Sequence, residues 1–342
     1  MKRLALAILL TTLSGCAPML RQQAGVPSSG FQGPHFEADA VVAADGARLG
    51  LMTWAAQGDP WAVIVGVHGM NDYANAFHIA GPRWAAQGLT TYAYDQRGFG
   101  RSPGRGVWAG EALMVDDLRT VVILARARHP HAIIVVAGES MGGSVAAAAF
   151  ASDRPPAADR LVLLSPGVWG FRSQPLPYKT ALWLAANVTP SKVYSPPRFV
   201  TDRLYPTDNL DELRAMGRDR LMIWGARSDT LYGLVQLMDR AAHEVGHDNL
   251  PTLYLYGAHD DIIPKNAAFA AVKRLTPADR TAYYAAGHHL LTRDHQGPVV
   301  MQDVVAFIRD PEAPLPSAAP PIPGAPAHVP PAGAAPGREA GL

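Results

Sequence analysis

A serine, an aspartate and a histidine, far apart in the chain, are the residues whose types and order could do covalent chemistry. Ser140 stands in Gly138-Glu139-Ser140-Met141-Gly142-Gly143, Asp260 in Gly257-Ala258-His259-Asp260-Asp261, and His288 in Gly287-His288-His289. A serine hydroxyl is a weak nucleophile at neutral pH. It attacks a carbonyl carbon when a base takes its proton and a carboxylate orients that base. The oxyanion that forms needs two backbone N–H donors fixed where its charge develops. The amide of Met141, directly after the serine, supplies one. The loop His68-Gly69-Met70-Asn71 is expected to supply the other through Met70, with Asn71 the alternative. Gly69 lets that backbone come close, and His68 is expected to buttress the loop rather than react.

Two of these residues have a neighbour of the same type. Only one of Asp260 and Asp261 can point inward, and the Gly-x-x-Asp spacing favours Asp260. Asp261 is then a solvated or turn-capping residue. Of His288 and His289, His288 directly follows Gly287 and is expected to be the base, with His289 lying over the next helix.

Strands and helices must bring these residues together. The apolar, β-branched run at 132–137 precedes the serine, and a small-residue helix at 144–150 follows it. Strand, sharp turn and helix are the context that makes Gly-x-Ser-x-Gly a nucleophile elbow. Glycines two before and two after the serine remove side chains that would collide where strand and helix pass. The helix N-terminus also aims its free N–H groups at the reacting oxygen. Further strands are expected at 36–42 and 47–54 about Ala44-Asp45-Gly46, and at 62–67, 89–94, 160–165, 251–256 and 280–285. Helices are expected at 77–88, 111–128, 265–275 and 298–309. This alternation implies an α/β fold with a mostly parallel sheet covered on both faces. Asp260 and His288 then fall at strand ends on the C-terminal edge, where open α/β sheets place their sites.

The rhythm breaks from 166 to 250. That segment carries Trp169, Phe171, Tyr178, Trp183, Tyr205, Trp224 and Tyr232 and reads as a cap inserted after a sheet strand. The core is then 36–165 with 251–310. Residues 311–342, rich in Pro, Ala and Gly, are expected to be disordered. With 48% hydrophobic and 17% charged residues the 342-residue chain can bury a large core. Its net charge of +1 gives no reason to expect nucleic acid as a partner.

Four of these stretches resemble one branch of the α/β-hydrolases, the monoacylglycerol lipase-like (lysophospholipase, serine aminopeptidase-type) enzymes. They are His68-Gly69-Met70, the run Asp95-Gln96-Arg97-Gly98-Phe99-Gly100-Arg101-Ser102, the elbow, and Gly257-Ala258-His259-Asp260 with Gly287-His288. The resemblance covers about residues 36–309. It implies the α/β-hydrolase fold with a helical cap. Ser140 is then nucleophile, Asp260 acid, His288 base, and Met70 and Met141 the oxyanion donors, with no cofactor or metal. Residues 95–102 become a structural loop. The chain departs from the pattern at His289, where an acidic residue is more frequent, and at Gln96, where histidine is frequent. A serine at the elbow argues against the epoxide-hydrolase and dehalogenase branches, which place an aspartate there. The expected reaction is hydrolysis of a lipid-like carboxylic ester, a monoacylglycerol or lysophospholipid, through an acyl-enzyme. A peptidase or thioesterase on the same triad, or a non-catalytic envelope-binding lipoprotein, are the alternatives. A peptidase acting on a free amino terminus would need a carboxylate cluster in the cap, for which Asp208, Asp211 and Glu212 are candidates.

Two further motifs stand outside this scheme. The start of the chain resembles the bacterial lipoprotein signal: basic Lys2-Arg3, an apolar stretch over 4–13 too short to span a membrane, and Leu13-Ser14-Gly15-Cys16. Cys16 is the single cysteine and, by that resemblance, the lipidated residue. A flexible tether over 17–35 would follow, and the protein would sit on the outer membrane facing the periplasm. The other motif, His243-Glu244-Val245-Gly246-His247, fits the zinc-protease pattern His-Glu-x-x-His, but Gly246 marks a helix end and no third ligand is placed.

Overall fold

The computed structural model describes residues 19–196 and 203–329. Eleven strands are formed among them: β1 (His35–Phe36), β2 (Ala40–Val42), β3 (Arg48–Trp54), β4 (Ala62–Val67), β5 (Leu89–Tyr94), β6 (Ile133–Glu139), β7 (Arg160–Leu164), β8 (Val193–Tyr194), β9 (Ala226–Arg227), β10 (Thr252–Gly257) and β11 (Arg280–Tyr284). Nine form one sheet in the order β1-β2-β3-β5-β4-β6-β7-β10-β11. From β5 to β11 all neighbours are parallel, whereas β1, β2 and β3 add on antiparallel, β2 and β3 joined through Asp45-Gly46.

The central strands read as unbroken apolar runs because both of their faces are covered. In β4, Val63, Val65 and Val67 face one core, and Ala62 and Ile64 the other. Helices α1 (Ala80–Ala85), α2 (Glu111–Arg128), α3 (Met141–Phe150), α4 (Leu176–Val188), α5 (Leu210–Arg218), α6 (Ser228–Glu244), α7 (Lys265–Ala271) and α8 (Gly297–Arg309) supply the covering surfaces. Leu118 and Val122 of α2 and Val145 and Ala149 of α3 pack on the first face. Trp84 of α1 and Val304 and Phe307 of α8 pack on the second. The strand expected at 36–42 is interrupted between β1 and β2. The helix expected at 77–88 is a short 3-10 turn, Ala74–Phe77, followed by α1. Between β7 and β10 the chain builds α4, the small β8–β9 pair, α5 and α6. In that segment α6 lies on α3, and α4 lies on α6.

Two expectations about the chain ends are corrected. Residues 311–329 are not free of the domain. The Tyr283 amide donates to the Pro320 carbonyl at 2.8 Å, the Ile322 amide to Thr281 Oγ1 at 3.0 Å, and Leu315 and Ile322 are buried. β11 is an edge strand with unpaired backbone groups. A proline-rich chain can accept from such an edge yet cannot extend the ladder, so it closes the edge. Residues 330–342 lie outside the described residues. Likewise residues 19–34 run along the domain. The Leu20 amide donates to Asp229 at 3.1 Å, and Gln22 donates through its backbone to Trp108 and through its side chain to Val107. The zinc-protease pattern ends its helix where Gly246 implies. Helix α6 ends at Glu244, Gly246 takes φ +83°, and His247 folds back so that Nδ1 meets Glu244 at 3.2 Å. The two histidines therefore share no helix face. Cys16 lies outside the described residues, among which no helix is long and apolar enough to cross a membrane.

Candidate active site

β6 ends at Glu139 and α3 begins at Met141, so Ser140 is the whole turn between them. Its backbone takes φ +52° and ψ −117°, a region that costs an L-residue about 1–3 kcal/mol and persists only where the surroundings enforce it. They do so here. The Ser140 amide donates to the Leu164 carbonyl at the end of β7, and the Ser140 carbonyl accepts from Gly167 at 2.8 Å. A Cβ at Gly142 would fall inside the Val67 carbonyl, and one at Gly138 would lie 2.6 Å from the Gly142 oxygen. The two glycines thus let α3 cross against the ends of β4 and β6.

Asp260 follows β10 and is the inward carboxylate of its pair. Oδ1 accepts from the amides of Ile262 and Ile263, both at 2.9 Å, and Oδ2 meets a histidine Nδ1 at 2.8 Å. Asp261 is exposed. That histidine is His289, not His288. The structure does not bring His288 to Asp260: its ring stacks on His259, and its Nδ1 stands 3.6 Å from Asp294. The cause lies in the backbone. Gly287 and His288 press against Gly257 at the end of β10, and the Gly287 carbonyl accepts from the His259 amide. The chain is pinned there with the His288 side chain turned to the His259 side, and the next residue faces inward. His289 is 4% exposed, so the Asp260–His289 pair is shielded from water. Burial alone would push its imidazole down, yet the Asp260 carboxylate outweighs this and holds it above its ordinary value. With Nδ1–H donating to Asp260, Nε2 is left to accept.

The loop after β4 carries the other half of the site. His68 is fully buried, its Nδ1 donates to the Gly69 carbonyl at 2.7 Å, and its Nε2 accepts from the Gln96 amide at 2.9 Å. Burial lowers its basicity, in keeping with a neutral ring that props the loop. Gln96 completes the clasp by donating to the His68 carbonyl. The amides of Met70 and Met141 have no hydrogen-bond acceptor among the described residues. Asn71 takes φ +66° and its carbonyl accepts from Ile223, tying the loop to the segment before β9.

One group at the site escaped the sequence reading. Arg293, four residues after His289, is buried and donates to Asp72 Oδ2 at 2.5 Å and Glu139 Oε1 at 2.7 Å. Glu212 of α5 stands 3.7 Å from the same guanidinium and 3.3 Å from His78 Nε2. Charges of both signs are present in the sequence, but nothing in their spacing pairs them. Of the carboxylates proposed for an amino-terminus site, Glu212 is thus engaged, Asp211 is exposed beside Arg214, and Asp208 accepts from the His295 amide. Asp208, His288 and Asp294 place one ligand atom each within 4.8 Å of one another. Their carboxylates are already committed, Asp294 accepting from the His288 and Asp208 amides, which stitches this segment to the core.

Ser140 and His289 line one cavity of about 880 Å³. Met70, Met216, Met222, Ile223, Trp224 and Leu290 are among the apolar residues of its wall. It is large enough for a drug-sized or acyl-chain ligand. Asn71 also lines it, with Oδ1 buried and without a hydrogen-bond partner among the described residues.

Comparison with known proteins agrees with this architecture. The family described as serine aminopeptidase, S33, matches residues 58–296. The monoacylglycerol lipase of Mycolicibacterium smegmatis is 27% identical over 279 residues, 77% of this chain and 93% of that protein. The monoglyceride lipase of Rattus norvegicus is 24% identical over 76% of this chain and 86% of its own length. Among solved structures, a soluble variant of the Saccharomyces cerevisiae monoglyceride lipase superposes with TM-score 0.65 at 17% identity, covering 85% of this chain and 98% of the other. The Paleococcus ferrophilus monoacylglycerol lipase gives TM-score 0.60 at 19% identity, over 76% and 98%. These structures share the α/β-hydrolase fold.

Proposed function

The chain belongs to the serine aminopeptidase (S33) family, and from that premise we propose that it is a serine hydrolase that cleaves monoacylglycerol-like carboxylic esters. The observation that carries the reading is a strained serine and a carboxylate-paired histidine opening onto one apolar cavity. The relatives' names point to the same substrate class.

In this mechanism the ester carbonyl enters beside Ser140 with its acyl chain along the methionine-rich wall. His289 Nε2 takes the hydroxyl proton as Oγ attacks the carbonyl carbon. Asp260 keeps Nδ1–H in place and stabilises the imidazolium. The oxyanion accepts from Met70 and Met141, at the start of α3, where the helix dipole also favours negative charge. His289 then gives its proton to the leaving alcohol, and the acyl group stays on Ser140. Water, activated by the same nitrogen, releases the acid. Asn71 Oδ1 is placed to accept from an alcohol group of a glycerol ester, which favours monoacylglycerols over simple alkyl esters.

Hydrolysis of p-nitrophenyl esters of graded length and of monoacylglycerols tests this reading, with a fluorophosphonate as the serine label. The expected result is labelling at Ser140, lost in Ser140→Ala, and an optimum beyond the shortest acyl chains. Equal turnover in parent and Ser140→Ala would contradict it. We extend the proposal to location: Cys16, if lipidated, lies only three residues before the described segment at Met19, so the domain would sit close to an envelope membrane.

A further inference from the structure

We propose that Arg293 is a positioning residue for the reaction: one buried guanidinium that fixes the oxyanion loop through Asp72, the nucleophile elbow through Glu139 and the cap through Glu212. The proposal rests on the triad assigned above and adds a group that none of its steps uses.

Arg293 does not line the cavity, so it cannot act on substrate directly. Its partners are each one step from the chemistry. Asp72 stands two residues after Met70, whose amide is the oxyanion donor proposed above. Glu139 is bonded in sequence to Ser140. Glu212 belongs to α5, in the segment whose Met216 and Met222 form the acyl wall. Nη2 reaches both Asp72 and Glu139, and Nη1 stands 3.6 Å from Met216 Sδ and 3.7 Å from Glu212. Three chain segments far apart in sequence therefore meet on one side chain that is at most 2% exposed. A buried arginine between carboxylates is held by geometry as well as charge, because its planar fork serves several acceptors at once. Without it two carboxylates, Asp72 and Glu139, would remain buried and uncompensated.

The same guanidinium tunes the base. His289 faces Asp260 from the β10 loop, Glu139 from the end of β6 and Arg293 from its own loop. Of the other charged groups nearby, Asp72 and Glu212 pair with Arg293, His78 with Glu212, and His288 with Asp294. Glu139 favours the imidazolium and Arg293 opposes it. Removing Arg293 should therefore raise the pH at which His289 becomes a base, and removing the Glu139 charge should lower it. A merely structural role would move neither.

The test uses the full chain and measures kcat, KM and the pH dependence of kcat/KM on p-nitrophenyl butyrate, with fluorophosphonate labelling of each variant. Arg293→Met should lower kcat about 100-fold, the scale of a small misplacement of catalytic groups. Its acid limb should move up in pH. Arg293→Lys restores the limb but only part of kcat, since an ammonium cannot fork. Glu139→Gln, an isosteric change, should move the limb down. A parent labelled at Ser140, with Arg293→Met and Glu139→Gln both keeping parental kcat and acid limb, overturns the proposal alone. If Arg293→Met fails to fold, Glu139→Gln decides: an unmoved limb overturns the proposal. A parent that takes no label overturns the triad reading and this proposal together.

Discussion

His288 and His289 differ by one position, and in an extended segment that difference turns a side chain to the opposite face. The sequence offers both within two residues of Gly287, so residue type could not choose between them. The choice is made by the backbone of Gly287 and His288 closing on Gly257. Ser140 and Asp260, by contrast, were legible from local context alone, because the glycines around the serine and the glycine before the aspartate report backbone crowding. Two outcomes follow for these residues. The histidine raised by Asp260 must lose its proton to act, so kcat/KM should climb with pH through a value above the ordinary imidazole range of about 6.5. The same shift carries a stability sign. A raised folded-state value means the Asp260–His289 pair stabilises fully below about pH 6.5 and loses that contribution as pH rises through the folded value. Thermal melts across that range, parent against His289→Ala, measure it.

The elbow is a junction of elements as much as a residue. β6, α3 and the end of β4 meet so closely that Gly142 has no room for a methyl group. Gly142→Ala should therefore push α3 off the strand ends and cost more than 2 kcal/mol as overpacking, with ester hydrolysis falling in parallel; circular dichroism melts and activity on the same sample read both. The paired apolar runs of β4, β6, β7 and β10 announced a parallel sheet, since both of their faces read as core. Nothing equivalent announced the Arg293 cluster. Its members Asp72, Glu139, Glu212 and Arg293 come from a loop, a strand end, a cap helix and another loop, so only the folded arrangement joins them. The Arg97 cluster illustrates the same limit: Arg97 ties Asp45 of the β2–β3 turn to Asp117 of α2, and burial pushes the Asp117 carboxyl up to about 6.

At the scale of the whole molecule the two ends of the described chain are fastened to the domain. A proline-rich composition reads as disorder when judged by its own core-forming capacity. It fails to register that β11 leaves an open edge for that segment to close. Truncation after Arg309 exposes this edge and the Leu315 and Ile322 contacts, and should lower Tm by about 5–10 °C, with aggregation on heating as the companion sign; differential scanning calorimetry checks it. The cavity, in turn, belongs to core and cap together: Ser140 and His289 come from strand ends, whereas Met216, Met222 and Trp224 come from the segment between β7 and β10. The account stands on the assignment of its base, and a paired substitution tests that most directly. His288→Ala and His289→Ala are compared with the parent by p-nitrophenyl ester turnover and the rate of fluorophosphonate labelling at Ser140. We expect His289→Ala to lose on the order of a thousandfold or more in both, while His288→Ala stays within about tenfold of the parent. The reverse pattern, an active His289→Ala beside a dead but folded His288→Ala, would contradict the triad described here.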